Sequence, residues 1–168
     1  MKNGLINRSI LSLVIVLVCG CGIKTQHETT CADYPKPLGF VSDYEHVFDS
    51  TQLQSLIAIL SGYEATSTNE IAVATVSTIK PDKSIFDYSL QLARCWGVGK
   101  KDKDNGVLIV ISKNLRQIHI QNGKGIEARL TNDETKHIID SIIIPEMKAG
   151  NYYEGIKDGI TAIKKELE

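Results

Sequence analysis

No stretch of this 168-residue chain is apolar for long enough to cross a bilayer as an ordinary helix. The longest candidate, Ile10 to Val18, is broken by Ser12 and falls short of the roughly 20 residues a span needs. An excess of one charge sign is also missing: 19 Lys and Arg stand against 20 Asp and Glu. No basic surplus therefore suggests nucleic acid, and no basic amphipathic stripe suggests independent membrane binding. The nucleophilic and zinc hydrolase motifs G-x-S-x-G, H-E-x-x-H and Cys-x5-Arg do not occur. His27, His46, His119 and His137 are scattered, the four cysteines have no zinc-site spacing, and there is no internal repeat.

What is present begins at the N-terminus. Lys2 and Arg8 form a positive region ahead of the short apolar run, which ends in Val18-Cys19-Gly20-Cys21. This is the layout of an export signal, and a small residue directly before a cysteine resembles a lipobox. Processing there would remove residues 1–20 and leave Cys21 as the lipidated first residue. The alternatives are a plain secretory cleavage and a retained anchor. The lipobox reading places the protein in a bacterial cell envelope, on the extracytoplasmic side, attached to the membrane through its lipid. The remaining 148 residues carry a formal charge of −3 and suffice for one domain with its own core. With Cys19 removed and Cys21 lipidated, Cys31 and Cys95 could pair in an oxidising compartment, or Cys95 could be a small buried apolar residue.

Residues 21–39 are polar and contain Thr and Pro without periodicity, as expected of a flexible tether. From residue 40 to 168 the pattern is globular. Asp49 with Gln52 forms a helix start ahead of Leu53, Leu56, Ile57 and Leu60. Glu70 to Ile79 reads as a buried strand closed by Pro81 and Asp82, and Ser84 with Asp87 opens a second helix. Val107 to Ile111 is a short apolar run expected of a central strand, and Arg116 to Gln121 alternates as its hairpin partner. Thr131 to Glu134 is a complete capping box, Pro145 limits the helix it opens, and Asn151 with Glu154 starts the last one. A strand–helix–strand unit implies a right-handed parallel crossover, and the hairpin adds an antiparallel neighbour. The fold class that follows is α/β, a three-layer α/β/α sandwich around a small mixed sheet.

Chemistry is concentrated in loops. Gly97 to Gly106 holds Asp102, Asp104, Asn105 and three glycines, oxygen donors suited to a hard cation, although the spacing is not that of an EF-hand. Asp43 enters the fold just before the first helix and could add an oxygen ligand or simply form a turn. Asn122 to Glu127 is a glycine-rich exit from the hairpin, where positive φ would explain the glycines without a ligand.

Val41-x-Asp43, Trp96-Gly97-Val98-Gly99, Asp104-Asn105-Gly106-Val107-Leu108, Gly123-x-Gly125-Ile126-Glu127 and Gly150-Asn151-Tyr152-Tyr153-Glu154-Gly155-Ile156 together resemble the TPM domain. The resemblance runs from about Phe40 to Ile163. It implies a sandwich of the derived kind, in members that are often membrane-anchored and extracytoplasmic. Some, in the thylakoid lumen, are described as acid phosphatases linked to photosystem repair; others bind divalent cations without clear phosphatase activity. By position it implies that Asp43, Asp104 and Glu127, with Asn105 beside them, line a cleft for a divalent cation, Ca2+ or Mg2+. Gly99, Gly106, Gly123 and Gly125 would shape its loops.

Three departures stand out. Lys124 replaces the usual aromatic between the last two glycines, Glu45 stands where an Ala is usual, and the chain stops at Glu168 where many relatives continue into a transmembrane segment. Three functions are then open: a cation-binding module supporting assembly or maintenance of an envelope protein partner, a metal-assisted phosphatase, and a pure protein-interaction domain. No catalytic residue is assigned.

Overall fold

The structure, a computed structural model, describes residues 30–79 and 83–168. The expected export signal, Cys21 and the Pro81–Asp82 strand stop lie outside the described residues. Four strands, β1 (Val41–Asp43), β2 (Glu70–Thr75), β3 (Gly106–Ser112) and β4 (Gln117–Asn122), form one sheet in the order β1-β2-β3-β4. The first three are parallel, and β4 runs antiparallel to β3. Helix α1 (Ser50–Ser67) joins β1 to β2, and α2 (Ile85–Trp96) lies between β2 and β3. After β4 come α3 (Asn132–Ile138), a π-helical turn (Ile139–Ile143), α4 (Ile144–Lys148) and α5 (Tyr152–Leu167).

Side-chain alternation sorts the strands' residues into two cores. Val41, Ile71, Val73, Val107, Ile109 and Ile120 pack with Leu56, Leu60, Ile156 and Ile160 of α1 and α5. Ala72, Ala74, Leu108 and Val110 face the other way and pack with Tyr88 and Leu92 of α2. All seven residues of β3 are buried, as a strand covered on both faces requires. The result is the three-layer sandwich. The steps β1 to β2 and β2 to β3 go in the same direction, yet α1 and α2 lie on opposite faces. The two crossovers therefore have opposite hands, and one departs from the usual right-handed connection.

Local signals hold where side chains bond their own backbone. Asp49 accepts from Thr51 and Gln52 N–H groups at 2.8 Å, while Gln52 reaches back to Asp49 N–H. Thr131 and Glu134 form the second capping box, and Ser84 caps α2 through Asp87 N–H. The expected helix stop at Pro145 does not occur. Proline lacks the N–H that would continue an α-helix and crowds the preceding turn. Here the turn before it widens, with Ile144 N–H bonding Ile139 C=O, so the helical path passes through Pro145 into α4.

The globule also starts earlier than Phe40. Cys31 is disulfide-bonded to Cys95, with Cα atoms 5.3 Å apart. A 3-10 turn at Cys31–Asp33 leads to Tyr34, which is buried against Tyr88, and Trp96 Nε1 donates to Pro35 C=O at 2.7 Å. The last part of the expected tether is thus strapped across α2. A bond closing 64 residues of separation stabilises a domain by about 4 kcal/mol on the chain-entropy account. Cys95→Ser should lower the free energy of urea unfolding by about 2–4 kcal/mol, and dithiothreitol should lower the parent protein's stability but not the variant's.

Candidate functional site

The loop from α2 to β3 is tied down by buried polar groups. Asn105 is 4% exposed; its side-chain oxygen accepts from Lys100 N–H at 2.9 Å, and its Nδ2 donates to Thr68 C=O and Asn69 Oδ1. Glu70, the first residue of β2, accepts from Gly99 N–H at 2.9 Å. Glu70 and Asn69 escaped the sequence reading; the only signal was a pair of polar residues at the mouth of a buried strand.

Glycine is needed here for close backbone approach. A Cβ on Gly99 would sit 2.4 Å from Gly106 N, and one on Gly106 would sit 2.3 Å from Val98 O. At Gly123 and Gly125 it would meet the carbonyl oxygens of Asp104 and Lys103 at 2.1 and 1.8 Å. Gly123 and Gly125 do not adopt positive φ, so the reason expected for them gives way to another: three backbones cross where no side chain fits.

Around this crossing lies a pocket of about 590 Å³, lined by Gly99, Gly106, Gly123, Asp104 and Glu127, with Leu108 and Gln121 of the sheet among the other lining residues. Arg94, Lys100, Lys101 and Lys124 also line it. Lys100 is paired with Glu64, whose hydrogen bond and charge hold the ammonium above its ordinary pKa. Arg94, Lys101 and Lys124 have no ion pair or hydrogen bond among the described residues. Among the described residues Gln121 Oε1 is buried without a well-formed hydrogen bond, with the His119 ring beside it. No Ser, Thr, Cys, His or Tyr among the described residues lines the pocket.

Asp104 and Glu127 are therefore brought together, with Asn105 and Gly125 behind them as framework. Asp43 is not. It pairs with Thr75 at the C-terminal end of β2, whereas Gly106 pairs with Glu70 at the other end, about 16 Å of strand away. Its carboxylate is occupied by Val47 N–H, Phe48 N–H and the Thr75 hydroxyl, at 3.0, 2.9 and 2.6 Å. Asp43 fixes the turn into α1. The expected convergence of Asp43, Asp104 and Glu127 on one edge of the sheet is corrected accordingly. Among the described residues no three His, Cys, Asp or Glu side chains are grouped to hold a metal ion, and the Asn105 oxygen is already bonded. The four-residue donor set does not assemble into a cation site.

Backbone crowding makes a sharp stability test. Gly125→Ala should lower unfolding free energy by about 1–3 kcal/mol. Gly62→Ala, on α1 where a Cβ meets nothing within 4 Å, should raise it by about 1 kcal/mol. Urea denaturation of both variants separates site strain from a general intolerance of alanine.

No protein of curated function matches this chain. Several solved structures share its fold. The N-terminal domain of a P. gingivalis protein superposes with a TM-score of 0.69 at 31% identity, over 76% of this chain and 81% of that one. The BA42 protein of the psychrophilic bacterium Bizionia argentinensis gives 0.65 at 22% identity, over 74% and 83%. The N-terminal domain of the cg2496 protein of Corynebacterium glutamicum gives 0.61 at 14%, over 81% and 85%. The TPM domain model matches residues 41–166, and with that match over most of its length the chain belongs to the TPM domain family.

Proposed function

We propose that this TPM domain is a binding module whose glycine-backed pocket takes a small organic anion, a phosphate ester or a carboxylate bearing a hydroxyl. The carrying observation is the trio Arg94, Lys101 and Lys124, cations at one pocket without an anionic partner among the described residues. Arg94 suits planar or tetrahedral oxyanions through its fork of donors, and the lysines add point charge. Lys124 stands where the family usually has an aromatic, so this chain in particular gains positive charge at the rim. The Gln121 oxygen, without a well-formed hydrogen bond among the described residues, can take a further donor, which is why a hydroxyl-bearing anion fits better than bare phosphate.

Among the described residues the lining offers the carboxylates of Asp104 and Glu127 but no side-chain hydroxyl, thiol or imidazole, which supports holding the anion ahead of passing its phosphoryl group to the protein. A second reading, capture of a divalent cation, draws on Asp104 and Glu127 sharing the pocket. A lipid on Cys21 would keep the module at the envelope surface, where the bound anion could belong to an envelope protein partner.

The test is thermal unfolding of the full chain in detergent with glycerol 3-phosphate titrated at constant ionic strength. Binding at a hundredfold the dissociation constant adds about 2.7 kcal/mol, several degrees for a domain of this size. The rise should saturate and disappear in Arg94→Gln/Lys124→Gln. A rise with calcium instead, lost in Asp104→Asn, would replace the anion by the cation; no saturable rise with either would remove both.

A further inference from the structure

The other end of the sheet carries a second cavity. Because α1 follows β1 to one face and α2 lies between β2 and β3 on the other, the C-terminal ends of β1 and β2 are left with a crevice between diverging connections. Ligands of open α/β sheets favour this position. The crevice holds about 550 Å³, within the range of small-ligand sites. Most polar groups on the strand ends nearby are spent. Asp43 is saturated as described, the Thr75 hydroxyl also accepts from Glu45 N–H at 2.9 Å, and the Glu45 carboxylate accepts from Lys113 and Asn114 N–H groups at 2.7 and 3.0 Å.

The cavity lining is different. Tyr88 is 5% exposed, yet its hydroxyl has no hydrogen bond among the described residues. Burial first, then the neighbouring Tyr34 and Tyr44 phenols, push Tyr88 up to about 12, so its O–H stays a donor at any physiological pH. Tyr44 and Pro35 supply flat apolar walls, and Val76 lies beside Tyr88. Ser77 and Thr78 add exposed hydroxyls, neither bonded within the described residues. Among the described residues the one charged lining residue is Asp33, which already has an interaction of its own. Uncharged hydroxyls that both donate and accept, set among aromatic faces, suit a ring that is apolar on its faces and hydroxylated at its rim.

We infer that this crevice is a saccharide-binding site, in which a neutral sugar ring packs on Tyr44 and Pro35 and hydrogen-bonds Tyr88, Ser77 and Thr78. Trp96 is the only tryptophan in the chain, and its bond to Pro35 C=O couples it to one wall.

The full chain in detergent would be titrated with the β-linked disaccharide of N-acetylglucosamine, following Trp96 emission and the backbone amide signals of Ser77 and Thr78. Saturable changes with a dissociation constant of about a millimolar are expected. Tyr88→Phe keeps the ring and removes only the hydroxyl, and should weaken binding about three- to tenfold without changing the unfolding midpoint. Tyr44→Ala should abolish the response. Should either tyrosine variant fold poorly, Ser77→Ala at the exposed rim is expected to weaken binding in a protein of normal stability. No saturable response from the parent protein would overturn the assignment, as would binding unaffected by all three substitutions. Saturable binding of a proline tripeptide in place of the sugar would also overturn it, making the crevice a peptide groove.

Discussion

The buried side chain of Asn105 ties together the start of β3, the Lys100 turn, the last turn of α1 and the entry to β2. An amide so deeply buried is costly unless its oxygen and nitrogen are both bonded, and here both are. Its bonds set the height at which β3 enters the sheet, and the entry of β3 sets the register with both neighbours. The glycines follow from that constraint. Once Asp104, Gly106 and Gly123 are drawn to backbone contact, any Cβ at the crossing would force the strands apart. The pocket is thus walled by main chain, and its chemistry is left to side chains reaching in from the rim.

Much of this was legible in the sequence wherever the causes are local. Asp49–Gln52, Ser84–Asp87 and Thr131–Glu134 bond backbone within four residues, so their spacing alone predicts the helix starts. The apolar run at Val107–Ile111 and the alternation after it likewise predict a central strand and its hairpin partner. The placement of Asp43 depends on which end of a strand a loop occupies. Val41–Asp43 is only three residues long, too short to show a period, so β1 went unseen. Recognising it would have separated Asp43 from Asp104 at once. Asp43 closes one parallel strand and Asp104 precedes another, and such positions lie at opposite edges of a parallel sheet. The strap at Tyr34–Pro35 was hidden because its partners Tyr88, Cys95 and Trp96 lie more than fifty residues away. The passage through Pro145 needed the π-helical turn, for which the sequence carries no spacing signal.

Two departures from the family's usual residues have different meanings. Glu45 caps the β3–β4 turn by accepting two backbone N–H groups, a structural task that an alanine there could not perform. Lys124 has no such internal work. It is exposed at the pocket rim without a partner among the described residues, so its effect is on what approaches from outside.

The two cavities share one element. Tyr88, in the first turn of α2, lies against the crevice, while Ala93 and Arg94, in its last turn, line the glycine-backed pocket. The disulfide joins that last turn to the strap carrying Pro35, a wall of the crevice. The disulfide and the Trp96–Pro35 hydrogen bond therefore tie the last turn of α2 to one wall of the far cavity. A helix held only by Leu92 and its apolar neighbours could slide by small amounts at little cost. Pinned at Cys95 and capped through Ser84, it presents both ends at set positions, so each pocket keeps its shape before anything binds. Preorganisation of that kind reduces the ordering cost of binding, which matters most for small, weakly bound ligands.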